Sequence, residues 1–386
     1  MKQLLPLGIQ DFVDIRERGF VYVDKTARIH ELITSSGKPF FLSRPRRFGK
    51  SLLCSTLEAI FEGRRELFGE MAGRPALAIN SLEWEWKKHP VIKIDLNPGN
   101  YTRDGLGILK LVISRQLERE AKKHGVVLNN DYDCANRFAS LIEESCEKAG
   151  ERAVVIIDEY DKPLLETMSG DPDMHKAIRE ELRGFYGVLK SSDKYMRFLL
   201  LTGVTKFSKV SVFSELNHLD DLTLDPCYAD LCGITQEELE RNFVPVIDDI
   251  LEKTGRNREE YMGNLRQYYN GYRFSKKPLK VYNPFGLLNH FKKCGDFEPY
   301  WYETGTPNFL VKLITEQKID IVNLSNMQIR HEDFRKYDVE NMKAEPVLYQ
   351  SGYLTISDYD ANRNRYTLDF PNLEVRSSLT TSLLQQ

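Results

Sequence analysis

The hydrophobic pattern from the N-terminus to about residue 202 alternates between strand-like and helix-like stretches. Four short apolar runs have the length of strands, at residues 38–43, 91–96, 153–157 and 197–202. Apolar residues at three- and four-residue spacing predict helices over residues 51–61, 106–123, 135–148 and 175–191. The continuously apolar run 153–157 suits a strand that is buried on both faces. Strands that alternate with helices predict an α/β fold, a parallel sheet with helices on both faces.

The pattern changes after about Leu224. Thr235 and Glu238 form the sequence signature of a capping box, which predicts the start of a helix. Helices and aromatic loops follow, and two strand-like segments near the C-terminus can pair as a hairpin, residues 353–356 and 365–370. We therefore predict three parts: an α/β domain over residues 1–226, a mainly helical lid-like or winged-helix-like domain over 227–350, and a short hairpin-like tail over 351–386.

Charge and composition exclude several classes of protein. The 386 residues include 54 Lys and Arg against 57 Asp and Glu, a net charge of −3 that disfavours a generally basic nucleic-acid coat but allows a local basic patch. No apolar run reaches the roughly 18 residues that cross a bilayer, and the N-terminus lacks the apolar core of a signal peptide. The six cysteines form no CxxC pair. These features predict a cytoplasmic protein with reduced thiols and no membrane segment.

A phosphate-binding signature lies where the first strand passes into a helix. Gly49-Lys50-Ser51 match the end of the pattern GxxxxGK[ST], although Arg44 stands at the first glycine position. In such a loop backbone N–H groups surround a diphosphate, the lysine reaches the β- and γ-phosphates, and the serine hydroxyl binds Mg²⁺. The expected nucleotide-binding residues are Arg44, Pro45, Arg46, Arg47, Phe48, Gly49, Lys50, Ser51 and Leu52. The alternative is an ordinary strand–turn–helix with an arginine-rich surface turn.

An acidic pair, Asp158 and Glu159, directly follows the strand-like run 153–157. A carboxylate at this position can hold Mg²⁺, and the next glutamate is placed to polarise an attacking water. Such a pair is common after a strand and by itself indicates little. It supports a nucleotide site because it follows the phosphate loop along the chain, in the order that P-loop proteins have. The strand 91–96 between the two motifs, together with the adjacent Asp and Glu, suits the additional-strand, catalytic-glutamate class of P-loop ATPases. Because no Asn-Lys-x-Asp guanine-reading motif occurs, ATP with Mg²⁺ is the expected ligand.

Thr202 is a further catalytic candidate, because it ends the strand that follows the acidic pair. In this class a polar residue at that position contacts the γ-phosphate or the water. Thr205 is the second choice, and a hydroxyl that merely caps the strand end is the alternative reading.

Three arginines, Arg44, Arg46 and Arg47, surround the expected phosphate site. They could stabilise the charge on a transferring phosphoryl group or bind a polyanion such as nucleic acid. Some of them could instead pair with carboxylates such as Asp161. We take Arg47 as the preferred phosphate contact and as a catalytic candidate.

These segments resemble those of a known family, the AAA-ATPase-like proteins of bacteria and archaea. The resemblance runs from about Leu7 to Leu373, and an arginine at the first glycine position of the P-loop is usual in that family. It is carried by residues 21–26, 41–51, 156–161, 201–204, 213–217 and 269–272. Together with the motifs, it predicts an ATP-binding and ATP-hydrolysing protein that acts as a conformational switch or motor-like module. A nucleotide-binding module with negligible turnover is the alternative, and an oligomer remains open.

Members of that family typically continue into a C-terminal domain that resembles restriction-type PD-(D/E)xK nucleases. This sequence ends at Gln386, which leaves no room for a nuclease core of roughly 100 residues. We therefore expect no nuclease activity from these residues, and keep a DNA-associated role beside a nuclease partner as a weaker hypothesis.

The resemblance also draws attention to two segments of uncertain role. Asp24-Lys25-Thr26 either line an adenine or ribose pocket or cap the helix predicted over residues 27–35. The aromatic run 268–274, followed by Lys276 and Lys277, either stacks on single-stranded bases or packs a helix end around an Asn-Gly turn. In both cases the structural alternative is favoured.

Overall fold

A five-stranded parallel sheet forms the centre of the protein. The structure, a computed structural model, describes residues 3–35, 39–206, 219–302, 314, 324–334 and 344–384. The strands are β1 (Phe40–Ser43), β2 (Val91–Asp95), β3 (Ala153–Asp158), β4 (Met196–Gly203) and β5 (Asp220–Asp221). Their order is β2-β3-β4-β1-β5, and all four neighbouring pairs are parallel. The predicted α/β fold of a P-loop NTPase is therefore confirmed.

The phosphate loop follows β1 and the acidic pair lies at the end of β3. Along the chain β2 lies between these two strands, but in the sheet a different strand does. β4 lies between β1 and β3, whereas β2 lies at the edge of the sheet. The order along the chain does not determine neighbours in a parallel sheet, because each crossover helix can carry the chain past one or more strands.

Helices cover the sheet, and their bounds lie within three residues of the predictions for α3, α4, α5 and α7. Before β4 the α-helices are α1 (Phe12–Glu17), α2 (Thr26–Thr34), α3 (Lys50–Phe61), α4 (Gly105–His124), α5 (Cys134–Ala149), α6 (Lys162–Thr167) and α7 (Pro172–Ser191). Aspartates accept hydrogen bonds at the starts of α5 and α7, at Asp133 and Asp171. Every side chain of β3 is buried, which explains its unbroken apolar run.

The region from residue 234 to 292 is mainly helical, as predicted. Its elements are β6 (Ile234–Thr235), α8 (Gln236–Asn242), α9 (Val244–Thr254), α10 (Arg258–Tyr269), β7 (Val281–Tyr282) and α11 (Pro284–Lys292). The capping box is present: the Thr235 hydroxyl accepts from the Glu238 N–H at 3.2 Å, and the Glu238 carboxylate accepts from the Thr235 N–H at 2.8 Å. These helices pack around an apolar cluster that includes Val21 from the N-terminal segment.

The C-terminal residues form a second, antiparallel sheet. Its strands are β8 (Met327–Arg330), β9 (Thr355–Asp360) and β10 (Arg365–Asp369), in the order β8-β10-β9. Helix α12 (Ala344–Gln350) precedes β9, and α13 (Leu373–Leu384) follows β10. The predicted hairpin is therefore present as β9 and β10, but β9 begins two residues later than predicted and ends four residues later, at Asp360. The elements β8 and α13 were not predicted. Ile356 and Leu368 are buried in the same apolar core as the parallel sheet, so the tail packs onto the rest of the chain.

Two further observations complete the fold. Within the described ranges, no helix combines the length and hydrophobicity that a membrane crossing requires. The segment 213–217, one of those that carried the family resemblance, lies outside the described residues.

Candidate nucleotide-binding site

The predicted motifs meet at one edge of the parallel sheet. Parallel strands present their carboxyl ends together, and β1, β3 and β4 are adjacent. The backbone joins them there: the Arg44 N–H donates to Gly203 O at 3.1 Å, and the Tyr160 N–H donates to Thr202 O at 3.0 Å. The phosphate loop, the acidic pair and the end of β4 therefore lie side by side.

The loop before α3 has the shape of a phosphate cradle. Gly49 has a φ of +96°, in the left-handed region, and a β-carbon placed on it would meet nothing within 4 Å. The backbone is thus approachable at Gly49. No side chain in the described part of the chain caps the start of the 12-residue helix α3, which leaves its first N–H groups for a ligand or solvent.

Lys50 lies inside this loop with only 3% of its side chain exposed. Its ammonium group donates to Arg44 O at 3.1 Å and to Pro45 O at 3.3 Å, and lies 3.3 Å from Oε1 of Glu159. Burial alone lowers the pKa of Lys50, but Glu159 and nearby aspartates reverse this and raise it overall. Lys50 is therefore a shielded cation at the sheet edge, suited to a phosphate.

The acidic pair is held by its neighbours. Asp158 is buried, and its Oδ1 accepts from the Thr202 hydroxyl and from the Glu159 N–H, the latter at 3.0 Å. Glu159 has a φ of +52°, which is uncommon for a residue with a side chain and is typical of functional turns. The structure thus gives the Thr202 hydroxyl a partner inside the protein. The contact of Thr202 with a phosphate or water stays a prediction. The structure adds a second possible role, in which Thr202 orients the Asp158 carboxylate.

The donor set fits Mg²⁺ bound together with a nucleotide. Ser51 supplies a hydroxyl and Asp158 a carboxylate, the hard oxygen ligands that Mg²⁺ prefers. Among the described residues, no group of three or more His, Cys, Asp or Glu could hold a metal ion by itself. Phosphate oxygens and water would complete the coordination, as is usual for Mg²⁺ at phosphate sites.

The Arg44 side chain turns away from the cradle and serves the fold of the loop. It is 1% exposed and donates to Ser43 O at 2.9 Å, to Thr223 O at 2.9 Å and to Tyr228 O at 3.0 Å. Its guanidinium also lies 4.3 Å from the centre of the Phe274 ring. Only the backbone of Arg44 remains a candidate for phosphate contact.

The other two arginines lie at the surface side of the loop. The guanidinium of the exposed Arg47 lies 3.9 Å from the centre of the Phe285 ring in α11. The backbone oxygen of Arg46 accepts from the indole N–H of Trp301 at 3.0 Å. Neither contact tests the predicted phosphate role of Arg47, which stays a prediction.

Asp161 does not pair with these arginines but holds the loop after β4. Its carboxylate accepts from the N–H groups of Val204 and Thr205, at 3.0 and 2.6 Å, and from the Thr205 hydroxyl at 2.7 Å. Burial, followed by the charge of Glu159, raises the pKa of Asp161 to about 6. Thr205, the second choice after Thr202 for a contact to the γ-phosphate or the water, is therefore hydrogen-bonded to Asp161.

A small apolar cavity of about 100 Å³ adjoins the phosphate loop. Its walls include Val21, Val23, Lys25, Gly49, Leu52 and Phe243. Lys25 is held there by Glu238 in α8, with an Nζ–Oε1 distance of 2.6 Å. Asp24 instead accepts from the N–H and hydroxyl of Thr26, at 2.8 and 2.6 Å, at the start of α2. Of the three residues singled out, Lys25 borders the cavity, whereas Asp24 and Thr26 bond to each other at the start of α2.

A larger cavity of about 260 Å³ lies beside Thr223, whose carbonyl accepts from the Arg44 guanidinium. It is lined by residues including Lys206, Asp221, His331 and Gln350. None of the motif residues of the phosphate loop or the acidic pair borders it, so the smaller cavity is the candidate place for a nucleoside.

The aromatic run 268–274 packs a helix end. Tyr269, the last residue of α10, is buried, as are Tyr272 and Phe274. Gly271 has a φ of +112°, and a β-carbon there would collide with the carbonyl of Pro371. These three rings are enclosed by protein and present no exposed face for a base, which agrees with the favoured structural alternative.

Sequence reasoning missed two sets of residues near the site. Asp95 ends β2 beside Asp158, and its pKa is raised to about 6 by burial and by the charges of Asp158 and Glu159. An aspartate at the end of a strand-like run was the available signal. Trp301 and Gly352 contact the P-loop from the C-terminal third of the chain, and no local pattern pointed to them.

Comparisons with known proteins identify the family of this chain. A family model described as AAA-ATPase-like, predicted AAA-ATPase, matches residues 6–213, more than half of the chain. A protein of Azotobacter chroococcum mcd 1, described as an uncharacterized protein in the vnfD 5' region, is 40% identical over 387 residues. That alignment covers 99% of this chain and 70% of the Azotobacter protein.

Proposed function

This chain belongs to the predicted AAA-ATPase family, and we propose that it binds ATP with Mg²⁺ at the carboxyl edge of the sheet and hydrolyses it. The observation that carries the proposal is the contact between the P-loop lysine and the glutamate after β3. These residues are far apart in the sequence, yet Lys50 Nζ lies 3.3 Å from Glu159 Oε1. A phosphate-binding cation and a general-base candidate thus share one site, as hydrolysis of a nucleotide requires.

Each residue of the site has a role in this proposal. Lys50 and the first N–H groups of α3 bind the phosphates, while Ser51 and Asp158 hold Mg²⁺. When bound, Mg²⁺ neutralises charge on the phosphate oxygens. Glu159 orients the attacking water and accepts its proton, and Thr202 fixes the Asp158 carboxylate through its hydroxyl.

The nucleoside would lie in the cavity beside Gly49. Its apolar walls, Val21, Val23 and Leu52 among them, suit the faces of a base, and Lys25 with Glu238 supplies polar groups at its border. The proposal predicts that ADP binds more tightly than pyrophosphate, since only ADP fills the cavity. Equal affinities would place the base in solvent instead.

We further propose that hydrolysis acts as a conformational switch or drives a motor-like module. The P-loop touches the helical region directly, because Arg47 stacks on Phe285 of α11. A change of the loop on phosphate release would therefore reach α11, the type of movement that nucleotide switches use.

A second candidate is a nucleotide-binding module with negligible turnover. The ion pair between Lys50 and Glu159 favours this candidate too. A Glu159 carboxylate that remains bound to Lys50 cannot accept a proton from the attacking water. The two candidates share the binding site and differ only in whether Glu159 leaves Lys50 when a nucleotide is bound.

The deciding experiment combines calorimetry with ATP and Mg²⁺ and a phosphate-release assay. For an ATPase, the wild type binds and turns over, Lys50→Ala loses binding, and Glu159→Gln binds without turnover. A wild type that binds ATP but releases no phosphate supports the binding module. A wild type that binds no nucleotide at millimolar concentration contradicts both.

A further inference from the structure

The outer face of the P-loop rests on residues from the C-terminal third of the chain. The indole N–H of Trp301 donates to Arg46 O at 3.0 Å, and the Trp301 backbone N–H donates to Oε1 of the buried Glu374 at 2.7 Å. The Tyr353 ring lies 5.4 Å from the Trp301 ring. We name the cluster of Trp301, Gly352, Tyr353 and Glu374 the brace.

Gly352 shows how closely the brace fits the loop. Its φ is +89°, and a β-carbon at this position would lie 2.8 Å from Cβ of Pro45 and 3.3 Å from the Trp301 ring. Such distances leave no room for a side chain. The brace therefore contacts two consecutive P-loop residues, Pro45 by packing and Arg46 by a hydrogen bond.

The same turn also contacts the loop after β4. The side-chain oxygen of Gln350, just before Gly352, accepts from the Lys206 N–H at 3.1 Å. Lys206 follows Thr205, whose hydroxyl and N–H are bound by Asp161. One short segment thus touches both loops that flank the candidate phosphate site.

A direct chemical link joins the phosphate site to the brace. Lys50 donates to Arg44 O and Pro45 O, and the next carbonyl, that of Arg46, accepts from Trp301. A phosphate that recruits the Lys50 ammonium competes with the first two carbonyls for their donor. Once Lys50 binds a phosphate, the hydrogen bond from Trp301 to Arg46 O contributes more to the orientation of the loop peptides than the weakened bonds to Arg44 O and Pro45 O.

We propose that Trp301 is a positioning residue for nucleotide binding. Its hydrogen bond to Arg46 O holds the P-loop backbone in the shape that binds phosphate, and the environment of the indole changes when a phosphate binds. The proposal rests on the proposed function, since it needs a nucleotide at the P-loop. It assigns to the C-terminal residues a part in binding that lies outside the matched family segment, residues 6–213.

The test compares Trp301→Phe with Trp84→Phe in the full chain, by calorimetry with ADP and Mg²⁺. Both changes remove an indole N–H and keep an aromatic ring. The Trp84 N–H has no hydrogen-bond partner among the described residues, and its ring packs on Phe61, away from the P-loop. We expect Trp301→Phe to bind ADP about five- to tenfold more weakly, because the partly buried Arg46 carbonyl loses its donor, and Trp84→Phe to bind like the wild type.

Fluorescence gives a signature that a merely structural role would not produce. ADP should change the tryptophan emission of the wild type and of Trp84→Phe, and this change should disappear in Trp301→Phe. Unchanged ADP affinity in a folded Trp301→Phe, or an ADP-dependent emission change that persists in it, overturns the proposal. A wild type that binds no ADP overturns the proposed function, and the brace with it.

Hydrogen exchange of the wild type covers the case in which Trp301→Phe does not fold. Saturating ADP should alter exchange in peptides that contain residues 298–302 and 350–354 and leave residues 84–88 unchanged. Identical exchange in the first two segments, with ADP bound, overturns the proposal without any variant.

Discussion

Lys50 Nζ lies 3.3 Å from Oε1 of Glu159, and the two side chains are only 3% and 19% exposed. The residue proposed to hold phosphate and the residue proposed to activate water are therefore each other's partners. A shielded ion pair is favourable only while both charges remain matched. A nucleotide phosphate thus competes with Glu159 for Lys50, and binding itself would release the glutamate toward water.

Glu159→Gln should separate binding from turnover. Loss of the general base should lower the rate of phosphate release about 100-fold or more. ADP affinity should rise about threefold to tenfold, because binding no longer has to break an ion pair worth ~1 kcal/mol. Phosphate release and calorimetry on the same preparation measure both effects. The exposed Glu180 in α7 provides the control Glu180→Gln, and turnover at the wild-type rate in Glu159→Gln would exclude Glu159 as the base.

Lys50→Ala should abolish nucleotide binding, with an affinity loss of about 100-fold or more for ADP and for pyrophosphate alike. The reason is that Lys50 contributes a shielded charge that exposed cations do not replace. Calorimetry measures the effect, and Lys176→Ala, at an exposed position of α7, is the matched control. Retained pyrophosphate binding in Lys50→Ala would mean that the phosphate lies elsewhere.

Arg44→Met should destabilise the protein without a direct effect on phosphate binding. The change leaves the carbonyls of Ser43, Thr223 and Tyr228 without their donor in a buried region. We expect a loss of about 3 kcal/mol in the free energy of unfolding, measured by urea denaturation. The exposed Arg18 gives the control Arg18→Met, with a change within about 0.5 kcal/mol. A stable Arg44→Met protein that fails to bind ADP would show instead that this side chain contacts phosphate.

Asp95→Asn should change how stability depends on pH. The pKa of Asp95 is raised to about 6, chiefly by burial and further by Asp158 and Glu159, although the Asn97 N–H opposes the shift. The folded state therefore binds this proton more readily than the unfolded chain. The contribution to stability is full only below pH 3.8, the ordinary pKa of the group, and is lost as the pH rises through about 6.

Above pH 7, Asp95→Asn should accordingly be more stable than the wild type by about 1–2 kcal/mol, a figure reduced for partial exposure. The difference should shrink toward pH 4. Urea denaturation at pH 4.5 and pH 7.5 measures it, and the exposed Asp131 supplies the control Asp131→Asn. A difference that grows as the pH falls would reverse the sign of the argument.

Much of the fold was predictable because its determinants are local in the sequence. The helices α3, α4, α5 and α7 each carry an apolar stripe, and their ends lay within three residues of the prediction. The stripes of α3, α4 and α5 pack on the sheet, whereas α7 packs on α4 and α5. The continuous apolar run of β3 correctly predicted that the strand is buried on both faces. The hairpin of β9 and β10 was also visible, whereas β8 was not. Its residues Met327–Arg330 alternate between apolar and polar, but four residues are too few to mark a strand.

The candidate site was predictable in part for the same reason. Backbone shape at Gly49, the position of Lys50 at the helix start and the acidic pair at a strand end are features of short segments. The sequence by itself thus determined the chemistry of the phosphate loop and the order of the motifs. It also marked Arg44 as unusual, but it did not show which way that side chain points.

Only the tertiary structure decided what these segments contact. The burial of the Arg44 guanidinium against residues 223–228, the hydrogen bond from Trp301 to Arg46 and the place of β4 between β1 and β3 all join positions that are distant along the chain. Such contacts depend on how whole elements pack, which no spacing of residues within a segment encodes. The chain therefore carries its candidate chemistry in local motifs, while the partners that hold those motifs in shape come from the packed fold.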